Sequence, residues 1–291
     1  MGKWSLVLSV SQFFPNQIVP ILAGGGTRLP AHIGILQALE DLNISCRHIV
    51  GVSGGAIIAA LFANGHSVSA MKALALNTDF RQFADFSFWR LLRQGGLASG
   101  DYFEQWLDTL LEGATFATIS SPLSILATDV NGGGPVIFNQ THTPDVKVAA
   151  AVRASMSIPL IFSFKQYEDK LLVDGAILSE DALFKDWQED GTLSVCFRLQ
   201  SRQKKEDLDV KRRFALPFYL LLLARTFMSA LSREYVHAEF WQRTILIDTG
   251  EVSAVDFNAC TDDKQNLFEI GYNTTMAYLP AKLQREFAKL G

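Results

Sequence analysis

The chain is poor in the residues that staple small folds together. Only three of its 291 residues are cysteine: Cys46, Cys196 and Cys260. They are widely spaced, odd in number and form no C-x-x-C pair, so neither a disulfide framework nor a zinc site is indicated. This usage fits a reducing cytoplasm. No apolar run approaches the ~20 residues of a membrane-spanning helix. The greasiest stretch, Leu216 to Leu223, has Pro217 near its start and Arg225 just beyond its end. It reads as a buried helix, with a membrane-surface helix as the alternative. The short apolar stretch Trp4 to Val10 is followed by Phe13-Phe14-Pro15 and by no small-x-small cleavage site, so it reads as a folded segment leading to the first strand, with a signal peptide as the alternative. Leu6 stands where a myristoylation pattern needs Ser or Thr. A net charge of −4 argues against nucleic acid as the main partner. No internal repeat and no low-complexity linker divides the chain. One domain over residues 1–291 is expected, with a core over about 16–250 and a helical C-terminal region over about 260–290.

What the chain does have is core-forming material. It is 48% hydrophobic, with 21 Phe. Strand-like and helix-like segments alternate. A strand near Ile18–Leu22 leads through a glycine loop to a helix from about Pro30 to Leu42. A second strand ends at Val52 and a helix follows to Ala63. Residues 68–112 look helical, with a break at Gly95-Gly96 and a fresh start at Ser99-Gly100-Asp101. Ser124–Ala127 and Pro135–Phe138 read as strands joined by a turn, and Asp145–Ser155 as a small-residue helix. Leu171–Val173, Leu193–Arg198 and Thr244–Ile247 complete the strands. A charged loop (Ser201–Arg213) and a helix (Phe214 to about Glu234) lie between the last two. The final helix runs from about Lys264 to Leu290, broken at Pro280. This alternation implies a mostly parallel sheet with helices on both faces.

Three motifs fall at strand ends. Gly51-Val52-Ser53-Gly54-Gly55 is a G-x-S-x-G between an apolar strand and a small-residue helix. In that context the turn projects one hydroxyl beside the helix's free N–H groups. A helix-capping serine is the plainer alternative. Upstream, Ala23-Gly24-Gly25-Gly26-Thr27-Arg28 leaves backbone N–H groups unshielded. Such a loop suits a phosphate cradle, an oxyanion hole or a plain turn. Leu29 breaks the nucleotide fingerprint G-x-G-x-x-G, and no Gly-Lys-Ser/Thr follows, which excludes a P-loop. Third, Val173-Asp174-Gly175-Ala176 puts a carboxylate at a strand's carboxyl end, where open α/β sheets bind ligands. An ordinary Asp-Gly turn is the alternative.

Together these blocks resemble the patatin-like phospholipases, over nearly the whole chain. Gly24 to Arg28 is similar to the family's oxyanion loop, and Ala31-His32-Ile33-Gly34-Ile35-Leu36 to the helix that follows it. Gly51 to Gly55 is similar to the nucleophile elbow. Ala154 to Pro159 resembles the turn before the catalytic strand, and Asp174-Gly175-Ala176 the Asp-Gly-Gly/Ala motif. Ala127 to Asn131 also recurs, as a structural turn. One departure stands out: the family usually has glycine directly after the loop arginine, where this chain has Leu29-Pro30. The resemblance implies a three-layer α/β fold and a Ser53/Asp174 dyad without histidine. It implies an oxyanion hole from Gly24, Gly25, Gly26 and Thr27, with Arg28, Gly51, Gly55 and Gly175 in support. Arg28 would brace the loop or steer an anionic headgroup. The implied substrates are phospholipids or lysophospholipids, cleaved as by a phospholipase A or lysophospholipase. No metal or organic cofactor is implied. An acyltransferase on the same dyad and a silent lipid-binding module remain alternatives.

Two further readings bear on this. Only His237 follows Asp174 as the late histidine of a triad would; its helical context reads as packing. Phe80, Phe83, Phe86, Phe88 and Trp89 crowd one segment, interleaved with Arg81, Arg90 and Arg93. That mixture suits either an acyl-chain entrance at a membrane surface, with the protein cytoplasmic and peripheral, or ordinary core packing. The basic residues Lys204, Lys205, Lys211, Arg212 and Arg213 are interrupted by Glu206, Asp207 and Asp209 and read as a solvated loop.

Overall fold

Each glycine-bearing motif follows a strand, so the sheet decides what the motifs can meet. The computed structural model describes residues 16–83, 85–177, 183–201, 219, 223, 226 and 240–290. The elements, in chain order, begin with β1 (Val19–Ala23), α1 (Leu29–Asp41), β2 (Ile49–Val52), α2 (Gly54–Ala63) and α3 (Val68–Asn77). A 3-10 turn (Phe80–Phe83), α4 (Phe88–Gln94), β3 (Gly96–Ala98) and α5 (Asp101–Leu110) come next. Then follow β4 (Leu123–Asp129), β5 (Gly134–Asn139), α6 (Val148–Ser155), β6 (Leu160–Phe162), β7 (Lys165–Tyr167) and β8 (Lys170–Asp174). The last are β9 (Ser194–Gln200), β10 (Thr244–Asp248) and α7 (Thr261–Leu290).

The fold is α/β, built on a mostly parallel central sheet. β10, β9, β1, β2 and β4 pair in that order and in parallel. β5 and β8 both run antiparallel to β4, and β7 antiparallel to β8. β5 pairs with β4 from Ser124 to Asp129. β2 pairs with Leu123–Leu126 and β8 with Ala127–Asp129. A strand has two edges, so β2 and β8 share the edge opposite β5 and meet end to end.

Alternation along the strands feeds two cores. Leu22, Ile49, Ile125, Phe197 and Ile245 pack with α1, α2, α6 and α7. Val19, Ile21, Val50, Val52, Leu126 and Cys196 pack on the other face with Phe184, Trp187 and Phe240. All five residues of β1 are buried. At about 1.5–3 kcal/mol for each large aliphatic side chain, this anchors the strand from which the glycine loop leaves.

Several expectations need correction. The break expected at Gly95-Gly96 and the restart at Asp101 are present, but the break holds a strand: β3 pairs in parallel with β6 as a separate two-stranded sheet, and residues 78–83 and 85–87 are not α-helical. Strands of three residues, such as β3, β6 and β7, carry too short a pattern to read locally. The helix expected from Asp145 starts at Val148, because Lys147 is extended and bridges to Thr115. α7 continues through Pro280, with Leu279 and Leu283 buried on either side of it; tertiary packing there outweighs the hydrogen bond that proline removes. Residues 1–15 and most of 202–239 lie outside the described residues, and with them the N-terminal apolar segment, the charged loop and His237. Within the apolar run, Tyr219 and Leu223 are helical and exposed, not buried. Among the described residues, no helix is long and apolar enough to cross a membrane.

Candidate active site

Ser53 stands in the turn between β2 and α2 with φ 56° and ψ −132°. That left-handed conformation is costly for a residue with a Cβ and marks a strained turn. Its hydroxyl does not cap α2. It donates instead to Asp174 Oδ2 at 2.6 Å. The capping alternative is therefore excluded. Close packing permits this turn: a Cβ at Gly55 would strike the Leu22 carbonyl, and one at Gly51 would strike Ala56.

Asp174 ends β8. Its N–H donates to the Ser157 carbonyl at 3.0 Å, and its carbonyl accepts from Thr128 Oγ1 at 2.9 Å. The second carboxylate oxygen, Oδ1, accepts from the Ala176 N–H at 2.8 Å. Gly175 lets the chain turn against the Leu126 carbonyl, where a Cβ would clash. Asp174 is fully buried and Ser53 is 1% exposed. Burial pushes the carboxyl up to about 6, against the opposing hydrogen bonds from Ser53 and Ala176.

One segment ties both side chains in place. Ser155 Oγ accepts from the Ser53 N–H at 2.8 Å and donates to the Leu126 carbonyl at 2.6 Å. Two residues on, Ser157 holds the backbone of Asp174. Buried Arg153 donates to Ser157 Oγ at 2.7 Å and to the carbonyls of Ser99 and Ser163. Burial lowers the guanidinium to about 10, which leaves it charged at neutral pH.

The glycine loop follows β1, and Gly24, Gly25 and Gly26 all have positive φ. Its four N–H groups divide in two. Gly24 donates to the Val52 carbonyl at 3.1 Å and Thr27 to the Ala254 carbonyl at 2.8 Å. Those of Gly25 and Gly26 donate to no described residue. A Cβ at Gly54 would lie 2.5 Å from Gly26 N, so the first residue of α2 packs against this loop. Gly54 was not singled out from the sequence, although the residue after an elbow nucleophile is the usual second source of oxyanion donors. Arg28 is buried; it donates to the Gly25 carbonyl at 3.0 Å and to Thr249 Oγ1 at 2.8 Å. It holds the loop and does not face solvent. His32 Nε2 donates to the Gly24 carbonyl at 3.0 Å. Burial depresses this imidazole to about 4, so it is neutral. Leu29 is not among the residues with positive φ. Leucine in place of the glycine usual in the family is therefore unstrained here, because α1 begins at Leu29 itself.

The described histidines bond elsewhere than the dyad: His32 to Gly24, His48 to Ser124, His66 to Leu61 and His142 to Asn139. Among the described residues, no group of three His, Cys, Asp or Glu is placed to hold a metal ion.

Beside the loop lies a narrow apolar pocket that opens to solvent. Gly26, Thr27, Leu29, Ile57, Phe162 and Phe257 are among the residues that line it. The aromatic segment divides here. Phe80 and Phe83 line the cavity, whereas Phe86 and Trp89 are exposed. The side chain of Phe88 lies outside the described residues.

Comparison with known proteins gives one family: a model described as patatin-like phospholipase matches residues 21–183. Among relatives, the uncharacterized protein R571 of Acanthamoeba polyphaga mimivirus is 28% identical over 267 residues, covering 86% of this chain and 89% of its own. The uncharacterized protein YqhO of Bacillus subtilis is 27% identical over 289 residues, covering 89% and 97%. Among solved structures, VipD from Legionella pneumophila superposes with a TM-score of 0.65 at 16% identity, over 91% of this chain and 67% of that one. ExoU, in its complex with SpcU from Pseudomonas aeruginosa, gives 0.56 at 20% identity, over 93% of this chain and 52% of that one. At these identities the structural likeness shows the fold alone.

Proposed function

Because the chain belongs to the patatin-like phospholipase family, we propose that it is a lipid acyl hydrolase that cleaves carboxylic esters through a Ser53 acyl-enzyme. Family membership carries the coarse reading of a lipid hydrolase. The finer reading is a phospholipase A or lysophospholipase, with Asp174 as general base. The observation that carries it is the 2.6 Å hydrogen bond from Ser53 Oγ to Asp174 Oδ2. An ordinary aspartate is a weak base; one pushed up to about 6 by burial is better matched to neutral pH.

The chemistry is a double displacement. Asp174 takes the Ser53 proton as Oγ attacks the ester carbonyl. The N–H groups of Gly25, Gly26 and Gly54 are the proposed donors to the developing oxyanion, a reading supported by the lack of a described acceptor for the first two; each such donor is worth about a hundred- to a thousandfold in rate. The expected hole thus narrows at Gly24 and Thr27, whose N–H groups have other acceptors, and widens to Gly54. Collapse of the intermediate expels the alcohol, which takes the proton back from Asp174. Water, deprotonated by Asp174, then attacks the acyl-enzyme and releases the fatty acid. The apolar lining of the pocket beside Gly26 suits an acyl chain, for which the pocket must widen. Ser53 is buried, so an ester reaches it only after covering residues move.

The test is hydrolysis of a panel of phospholipids and lysophospholipids, read by mass spectrometry, with Ser53→Ala as control. Release of fatty acid by the wild type alone supports the reading. Transfer of the acyl group to an added alcohol, with no free acid formed, would replace hydrolase by acyltransferase.

A further inference from the structure

The surface around α4 turns four large apolar side chains to solvent. Phe86 is 48% exposed, Trp89 71%, Leu92 61% and Phe164 44%. Trp89 and Leu92, three residues apart, share one face of α4, while Leu91 is buried beneath. α4 stops at Gly95 (φ 71°), and the Phe164 ring lies over that glycine, 3.2 Å from where its Cβ would be. The small β3–β6 sheet holds the two parts of this surface together through the Gly96–Leu160 and Ala98–Phe162 pairs.

This apolar surface continues inward. The Phe86 ring packs edge-on against Phe257 at 5.7 Å, and Phe257 against Phe162 at 6.5 Å. Phe257 and Phe162 are walls of the pocket that Gly26 also lines. A row of rings therefore leads from solvent to the pocket that Gly26 also lines. At its outer end Arg93 is exposed, while Arg90 is paired with Asp85 at 3.0 Å.

We propose that Phe86, Trp89, Leu92 and Phe164 form the surface on which the protein docks to a lipid layer, with the mouth of the cavity turned to the lipid. Soluble proteins seldom gather large apolar groups on one surface without a use for them. Tryptophan with leucine beside a cation is the composition of interfacial anchors. Continuity with the cavity selects the occupant. A lipid layer seated here passes an acyl chain into the cavity without exposing it to water, whereas a protein partner would seal the mouth. The choice of occupant rests on the lipid-hydrolase reading; the surface itself does not.

The test is co-sedimentation with vesicles of phosphatidylcholine, with and without phosphatidylglycerol, using wild type, Ser53→Ala and the double variant Trp89→Ser/Leu92→Ser. Wild type and Ser53→Ala are expected to bind alike, and more tightly when the anionic lipid is present. The double variant should lose about tenfold or more in partitioning and as much in vesicle hydrolysis. Its turnover of a soluble short-chain ester should stay at the wild-type rate, since neither residue lines the cavity. Leu92→Glu alone, at an exposed position, gives the same direction should the double variant not fold. Vesicle binding by a wild type that hydrolyses no ester would support docking and remove the catalytic reading. Equal vesicle binding by the variants and wild type overturns the docking surface. So does a wild type that hydrolyses soluble ester but ignores vesicles, or that uses this surface only to self-associate.

Discussion

Val52 and Asp174 pair with consecutive residues of β4, Leu126 and Ala127, on the same edge of that strand. β2 arrives there in parallel and β8 antiparallel, so the two chain ends face one another. Ser53 follows Val52 directly, and its hydroxyl reaches Asp174 across 121 residues of sequence. Two strand ends fixed to a common neighbour thus bring the dyad together, and this is more exact than two loops could be.

Removing either member of the dyad should remove the chemistry and leave the fold. Ser53→Ala and Asp174→Asn are each expected to lower kcat/KM for ester hydrolysis by at least about a thousandfold, with unchanged circular dichroism. Near-normal turnover by Asp174→Asn would defeat the assignment of a base.

The pH profile should carry the signature of the buried carboxyl. Asp174 works as a carboxylate, and burial pushes it up to about 6. A plot of log kcat/KM should rise with unit slope below about pH 6 and level above it. A limb centred near pH 4 would mean that the base is an ordinary solvated carboxylate.

The same burial costs stability, with a definite sign. The folded-state value lies above the ordinary 3.8, so the unfolded chain gives up the proton first. Below about pH 4 both states are protonated and there is no penalty. The penalty grows as pH rises towards 6 and is then constant, at about 3 kcal/mol. Asp174→Asn should therefore be more stable than wild type at pH 8, and this advantage should shrink as pH falls from 6 to 4. Denaturant melts of both proteins across that range read it directly. An advantage that grows on acidification contradicts the account.

Ser155 is a positioning residue, and its loss should show in turnover more than in binding. Ser155→Ala leaves the Ser53 N–H and the Leu126 carbonyl buried without their partner. Each unmet group costs about 1–3 kcal/mol, and the elbow should loosen. The expected outcome is a fall in kcat of about tenfold with KM little changed. Cysteine, whose thiol is a weaker acceptor and donor, should restore part of it. A change confined to KM would place Ser155 in substrate binding.

Much of this arrangement is readable from local sequence. β1, α1, β2 and α2 are flanked by glycine signals, and the strand–turn–helix around Ser53 marks itself. Asp174 is legible as an aspartate at a strand end. Less legible are the features set by distant partners. Nothing near Thr27 reveals that its N–H is taken by the carbonyl of Ala254, 227 residues away. Nothing near Gly96 reveals a pairing with Leu160. The segment from Phe80 to Trp89 carries one composition but two environments, because the chain leaves helical geometry before α4 and its aromatics do not share a face. Ser155 lay within a recognised motif, but its bond to the Ser53 backbone depends on how α6 crosses the end of β2.

The most direct measurement is the site of covalent modification by an alkyl fluorophosphonate, mapped by peptide mass spectrometry on the wild-type protein and on Ser53→Ala. The account predicts a single adduct on the peptide that contains Ser53, lost in the variant. An active, esterolytic protein that carries its adduct on another residue, or that turns over ester while Ser53 stays unlabelled, would contradict it.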